Sequence, residues 1–401
     1  MAHVSKLSRT AQAIRASVFA DLAPRIEAHA RRGGDLVELH IGDTYRTPPE
    51  AARFARIDGA AFDGSVYRYG AIRGLDALKE TFAARLAAEG MGPHGAGAEH
   101  VLVGAGATHA IYCALRAVLE PGDEVIVGAP YWPLAVGVVR AAGGVPVEVP
   151  LTTRLYQDPS LDAADVLEAA LTPRTRALYL ITPNNPDGKV LSERQLARIA
   201  RLAVARDLWV LSDEVYADYV YEGTHASIAR QEGMGARTVS AYSMSKGFAL
   251  AGARVGFAVA PPAVVELARR VATHTVFNVP VAAQRVALVA LSTGGAWLEE
   301  ARRDYRDARD ATARALEGSG VGLLVPEGGS YVFVDFAPVL RGRRLTDLLE
   351  RAIDRGVLLA PGDGCGEAFG TWARLCFTSV PRPRLLEGIA RLRGAIDDLA
   401  P

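Results

Sequence analysis

The chain has 401 residues, half of them hydrophobic, enough for a large buried core and more than one typical domain. Its 45 Lys and Arg offset 45 Asp and Glu, which excludes a basic field for nucleic acid and an acidic tail, and points to small polar ligands. Cys113, Cys365 and Cys376 form neither an even nor a metal-like set, so no disulfide framework and no metal site is expected, and a reducing compartment is.

The opening residues mix Arg, Asp and Glu at helical spacing and carry no continuous apolar block of the secretory kind. No run approaches eighteen apolar residues, so no membrane partner is expected and the cytoplasm is the expected location. From about residue 70 to 260, helical patterns alternate with short β-branched runs. "LDALKETFAARLAAEG" has helical apolar spacing with Gly90 as its stop, and "HVLVGA", "DEVIVGAPY", "ALYLITP", "LWVLSDEVY" and "RVGFAVA" read as strands. Strands that are apolar along their length and separated by helices predict an α/β fold with a largely parallel sheet covered on both faces. Ligands in such sheets sit beyond the carboxyl ends of the strands. The unusual residues fall there, in "GAGATH", "PYW", "TPNNPDG", "SDEVY" and the loop around Lys246.

After about residue 285 the texture changes. A long Arg/Glu/Ala-rich helical stretch leads to "GLLVPEGGSYVFVDF", a helix around "LTDLLERAIDRG", then "VLLAPG", "WARLCFTSV" and a closing helix. This predicts a smaller α+β domain, joined by the N-terminal segment. The expected division is residues 1–45 as arm and part of the small domain, 46–285 as the large domain that carries these ligand-facing loops, and 286–401 as the small domain.

Lys246 stands among Ser243, Ser245 and Gly247 and is followed by an apolar stretch. A lysine is usually solvated, but one held in a partly desolvated pocket has a lowered pKa and a lone pair free for imine formation. If the aldehyde is pyridoxal 5'-phosphate, the site must grip a phosphate, protonate a ring nitrogen, hydrogen-bond a phenolate and clamp the ring face. Ala107 and Thr108 begin a helix whose backbone N–H groups and dipole suit a phosphate, although the same stretch also reads as an ordinary helix start capped by Thr108. Ser243 and Arg254 complete that cup, Arg254 by bidentate contacts, unless it merely forms a surface salt bridge. Asp213 emerges from a buried strand and needs a cation, which a pyridinium N–H supplies. Asn185 and Tyr216 can donate to the ring hydroxyl oxygen, and Trp132 can lie on the ring face.

The ordered set "GATHA", "PYW", "PNNPDG", "SDEVY", "SMSKGFALAGARVG" and "WARLCFT" resembles the class I/II aminotransferases of pyridoxal-phosphate fold type I, over nearly the whole chain. The resemblance implies a mostly parallel seven-stranded sheet in the large domain, a homodimer with shared active sites, and amino acid and 2-oxo acid substrates. It implies that Lys246 is the Schiff-base lysine and Asp213 the pyridinium partner, with Asn185 and Tyr216 at the ring hydroxyl and Trp132 stacked on the ring. Ala107, Thr108, Ser243 and Arg254 match its phosphate cup, and Tyr69 the tyrosine that reaches the phosphate across a dimer interface. Arg374 matches the arginine for the substrate α-carboxylate, assisted by the Gly42 amide. The chain departs from the family pattern in having Asp187 where threonine is common, in the spacing of "PGDGCGEAFGTWARL", and in having Thr108 where some acid-selective relatives carry lysine. Tyr45 and Arg46 lie on a loop that in relatives folds over the substrate, or are plain solvated residues. A β-eliminating lyase or tailoring enzyme of secondary metabolism on the same site is the alternative. A ligand-binding regulator that keeps the pocket without turnover is a further rival, disfavoured by the balanced charge.

Overall fold

The structure is a computed structural model that describes residues 7–15, 19–56 and 64–399. Of the helically spaced opening, residues 1–6 and 16–18 lie outside the described residues, while Arg9–Gln12 and Ala23–Arg31 are helical. The stretch "LDALKETFAARLAAEG" forms α1 (Asp76–Ala88), which buries Leu78, Phe82 and Leu86. Each contributes roughly 1.5 to 3 kcal/mol when it leaves water. Gly90, with φ +68°, takes the left-handed turn that ends the run.

Seven strands form the main sheet: β1 (Val101–Ala105), β2 (Glu124–Ala129), β3 (Val145–Pro150), β4 (Thr175–Ile181), β5 (Trp209–Asp213), β6 (Thr238–Ser243) and β7 (Val255–Val259). Their order in space is β1-β7-β6-β5-β4-β2-β3. All pairs are parallel except those of β7, which runs against both β1 and β6. Both faces are covered, as continuous apolar strands require. Along β4, Ala177, Tyr179 and Ile181 enter one hydrophobic core, whereas Leu178 and Leu180 enter another on the opposite face.

The reversed strand matters for the site. β5 ends at Asp213 and β6 at Ser243, while β7 begins directly after Arg254, with Ser243 paired to Gly256 and Ala105 to Val255. One edge of the sheet therefore carries the ends of β1, β5 and β6 and the start of β7. From the end of β1 the chain turns at Gly106 into α2 (Ala107–Val118), which packs on β7.

The Arg/Glu/Ala-rich stretch is two helices, α3 (Val281–Thr293) and α4 (Gly295–Leu316), broken at Gly294. A Cβ at Gly294 would lie 2.5 Å from the Ala290 carbonyl oxygen and 2.7 Å from the Phe248 ring, which leaves room only for glycine. Beyond α4, β8 (Gly322–Leu324), β9 (Tyr331–Asp335), β10 (Ala360–Pro361) and β11 (Trp372–Cys376) form an antiparallel sheet in the order β10-β11-β9-β8. The segment Val37–Glu38 pairs in parallel with Val357–Leu358, so the N-terminal chain joins this smaller part of the molecule, and α5 (Arg382–Asp397) packs on α4. Among the described residues no single helix is long and apolar enough to cross a membrane. The three cysteines are buried and unpaired.

Candidate active site

A cleft opens at the sheet edge just described, with about 680 Å³ of empty space including its mouth. Ala107, Thr108, Trp132, Asn185, Asp213, Tyr216, Ser243, Lys246 and Arg254 all line it, together with Ile111, Ile181, Val215, Ser245, Ala251 and Tyr331. Nine residues singled out in the sequence thus converge from loops spread over nearly 150 positions.

At one end of the cleft lies the start of α2. Its N-cap is Gly106, at φ +79°, and no side chain caps the helix; Thr108 is inside the first turn and is not the cap. Close approach explains the glycine, because a Cβ there would lie 2.3 Å from an Arg254 guanidinium nitrogen. Arg254 itself has φ +55°, donates to the Ala251 carbonyl at 3.0 Å and pairs with no carboxylate among the described residues, so the surface salt bridge is not formed. Ser243 opens the short helical turn Met244–Gly247, its hydroxyl accepting from the Ser245 amide at 3.1 Å. An uncapped helix start, a hydroxyl and an unpaired guanidinium together suit a phosphate.

Asp213, only 4 % exposed, is held by weak donors: the Val215 amide at 3.3 Å and the Tyr179 hydroxyl at 3.2 Å. Burial pushes its carboxyl up to about 7, against those two contacts. A carboxylate so poorly compensated would be stabilised by a cation placed in the cleft. The next residue, Glu214, ties down the end of β5 from below, accepting from the Ser227 hydroxyl at 2.8 Å and the Tyr242 hydroxyl at 3.0 Å, with His225 Nε2 at 2.9 Å.

Lys246, half-buried, donates from Nζ to the Gly42 carbonyl oxygen. The expectation for Gly42 concerned its amide, whereas the group engaged here is its carbonyl. Trp132 is half-buried on the cleft wall. Arg374 does not line the cleft. It sits 8 % exposed behind the wall, where Nη1 donates to Asn185 Oδ1 and Nη2 to the His40 carbonyl, both at 2.9 Å. Its Nε has no hydrogen-bond partner among the described residues, and its guanidinium lies 4.3 Å from the centre of the Tyr331 ring. Burial, then the Arg374 charge, lowers the pKa of His40 to about 4, so the imidazole stays neutral beside the guanidinium.

Tyr331 was not foreseen. Its hydroxyl is 2.8 Å from that of Tyr216, and a Cβ on Gly42 would lie 1.7 Å from it. No local signal in the sequence marks it: only the pairing of β9 with β11, which sets Phe333 opposite Arg374, puts Tyr331 two residues away on the same face. The loop expectation for Arg46 changed, whereas that for Tyr69 concerns a second subunit. Arg46 is neither solvated nor in the cleft; it pairs with Glu300 at 2.6 Å and Asp304 at 3.3 Å on α4, and Tyr45 bonds Asp304 as well. Tyr69 is 86 % exposed, edge-on to Phe277, and does not reach the cleft of its own chain. The segment around Gly362–Gly370 forms two short 3-10 turns, and its Cys365 carbonyl accepts from the Tyr131 amide at 2.9 Å, next to Trp132.

With this geometry in place, comparison with known proteins defines the class. The sequence profile of aminotransferase class I and II matches residues 34–392, and the chain belongs to that family. It is 34 % identical to the aspartate/prephenate aminotransferase of Thermus thermophilus, over 97 % of this chain and 99 % of that one. It is also 34 % identical to the arginine–pyruvate transaminase of Pseudomonas aeruginosa, over 88 % of each. A solved structure of a Thermus thermophilus aspartate aminotransferase double mutant superposes with a TM-score of 0.89 at 31 % identity, covering 98 % of this chain and all of that one. The protein is a fold type I aminotransferase, and these relatives lend no support to the lyase alternative.

Proposed function

We propose that this aminotransferase works with pyridoxal 5'-phosphate anchored on Lys246, and that the cleft-lining residues divide the tasks as follows. The observation that carries the reading is the placement of Lys246, the under-compensated Asp213 and the uncapped α2 with Arg254 on one cleft. The residues present fit the group: Ala107, Thr108, Ser243 and Arg254 would hold its phosphate, Asp213 its ring nitrogen, Asn185 and Tyr216 its ring hydroxyl, and Trp132 its face. When bound, the cofactor supplies an aldehyde for the amino group and a protonated ring that draws electron density from the substrate Cα.

The chain's own residues supply the rest. Asp213 would keep the ring nitrogen protonated, since an ion pair there would relieve the cost of burying its carboxylate. Lys246 Nζ, once freed from the cofactor by the incoming amine, would take the proton from the substrate Cα as general base and deliver it, as general acid, to the carbon on the other side of the amino nitrogen. Arg374 offers two parallel N–H donors to the substrate α-carboxylate, exchanging its present bond to Asn185 for the ligand, with the Gly42 backbone nearby. Apolar Ile111, Ile181 and Trp132 reduce water around these groups, which strengthens each charge contact.

The same reading divides the chain at residues 45 and 285, with the second seam running through α3. It places Tyr69 in the active site of a second subunit of a homodimer, supported by the exposure of Tyr67, Tyr69 and Phe277 on one chain. A cytoplasmic setting accords with three buried, unpaired cysteines. The test is single-turnover spectroscopy of the purified protein against a panel of amino acids. Bleaching of the visible band by some amino acids, restored by 2-oxo acids, supports the reading; release of ammonia with no dependence on 2-oxo acid would replace it with elimination.

A further inference from the structure

Asp187 stands where the family commonly has threonine, and it is fully buried. Among the described residues no cation forms an ion pair with its carboxylate; the nearby Lys189 amine is paired with Glu327 at 2.6 Å and acts on Asp187 only through its charge. Neutral donors hold it. Oδ2 accepts from the Thr152 hydroxyl at 2.5 Å, and Oδ1 from the Asn184 side-chain amide at 2.8 Å and the Lys189 backbone N–H at 3.1 Å. Burial raises its pKa, the cost expected of a carboxyl with neutral partners.

The connections of this carboxylate lead to the site from two sides. The Asn184 amide that it binds also donates to the Pro130 carbonyl at 2.9 Å, two residues before Trp132, and Asn184 is the immediate neighbour of Asn185. Thr152 follows Leu151, whose amide is bonded to the Ala129 carbonyl at the end of β2. The Asn184 amide also donates to Thr152 Oγ1 at 3.0 Å, so the carboxylate braces both Thr152 and Asn184 in one buried cluster between the loop bearing Trp132 and the turn bearing Asn185. Outside this hub the turn is packed too tightly to shift freely: Gly188, at φ +71°, lies where a Cβ would be 2.3 Å from Pro326.

We propose that Asp187 is a positioning residue for transamination, fixing the spacing between the stacking wall at Trp132 and the ring-hydroxyl partner Asn185. This rests on the cofactor reading above. Threonine at this position has a single oxygen; a carboxylate spans both the Thr152 hydroxyl and the Asn184 amide, so the two loops are held from one side chain. Removing its acceptors would leave the buried Thr152 hydroxyl and the Lys189 backbone N–H without their acceptor and take the brace from Asn184, which would keep its bonds to Pro130 and Thr152.

The experiment titrates the apoprotein with pyridoxal 5'-phosphate and records affinity and the induced circular dichroism of the bound cofactor, which reports how the ring is held. Asp187→Leu is expected to weaken binding about tenfold or more and to change the dichroic band. Asp187→Asn, which keeps an acceptor for Asn184 and a polar contact for Thr152, is expected to stay within about threefold of wild type, with the native band. Thr152→Val takes away the donor to Asp187 and an acceptor used by Asn184 while leaving the turn's own residues unchanged, and is expected to alter the band in the same sense as Asp187→Leu. An unchanged affinity and band in Asp187→Leu overturns the proposal; if that variant does not fold, an unchanged band in Thr152→Val does so instead. A wild-type apoprotein that takes up no cofactor would remove the cofactor reading itself, whereas cofactor-binding wild type with indifferent variants removes this inference alone.

Discussion

Arg374 donates to Asn185 Oδ1 at 2.9 Å, so the residue assigned to the substrate carboxylate and the residue assigned to the ring hydroxyl already hold each other before any ligand enters. Both are buried, at 8 % and 5 % exposure. The pair comes from β11 and from the turn after β4, and it joins the two sheets behind the cleft wall. Its partner on the other side, the Tyr331 ring, keeps the guanidinium flat and oriented.

Arg374→Ala should therefore lower kcat/KM for all amino acids by a similar factor, about 2 to 5 kcal/mol for a truncated buried charge partner. Every α-amino acid presents the same carboxylate, so selectivity should not change. Steady-state kinetics over acidic, aromatic and aliphatic donors decide it; loss for some donors with others spared would make Arg374 a side-chain selector.

Asp213→Asn should keep the fold and cripple turnover, by about 3 kcal/mol or more, roughly a hundredfold, because a neutral amide cannot hold a ring nitrogen protonated. The apoprotein should show the opposite effect on stability. Asp213 has a folded-state pKa near 7, above its ordinary value, so the folded protein binds more protons than the unfolded chain between about pH 4 and 7. Stability from this group is present at low pH and is lost as pH rises through 7. Melting temperatures of the apoprotein between pH 5 and pH 8 should fall more for wild type than for Asp213→Asn, and equal slopes would remove Asp213 as the source.

Gly42→Ala should disturb the site through Tyr331. The added Cβ would lie 1.7 Å from the Tyr331 hydroxyl oxygen, so either the ring or the Lys246-bound loop must move, at a cost on the order of 1 to 3 kcal/mol. Combining it with Tyr331→Phe should restore part of the lost activity, since the nearest atom is gone. Strict additivity of the two changes in a double-mutant cycle would show that the two residues do not press on each other.

Tyr69→Phe and Lys246→Ala, each impaired alone, should complement when mixed. In a heterodimer one site would regain both residues if Tyr69 serves the neighbouring subunit. Activity that stays flat after confirmed subunit exchange speaks against a shared site.

The large sheet was legible because its strands are apolar along their length and end at short motifs rich in Gly, Pro, Asn and Asp. Local chemistry marks such loops: the turn at Gly106, the carboxylate ending "LWVLSD" and the lone amine at Lys246 each stand out from their immediate neighbours. What escaped depends on distance in sequence. Tyr331 meets Arg374 only through strand pairing 43 positions apart, and in "GGSYVFVDF" it looks like any strand aromatic. Arg46 has the look of a loop cation free to meet substrate, and nothing near it reveals that Glu300 and Asp304, some 250 residues later, neutralise it on α4. Asp187 was visible as a departure and Asn184 lies in the same turn, but Thr152 follows β3 and could be identified as a partner only once β3, β2 and β4 were known to be adjacent.

The identity of the anchoring amine tests the account most directly. Purified protein loaded with pyridoxal 5'-phosphate should be yellow; after borohydride reduction and proteolysis, mass spectrometry should find the cofactor on the peptide containing Lys246 and on no other. Lys246→Ala should lose catalysis and the reducible attachment while still binding cofactor noncovalently. Stoichiometric labelling of a different lysine, with Lys246 unmodified, would contradict the assignment of this cleft as the catalytic centre.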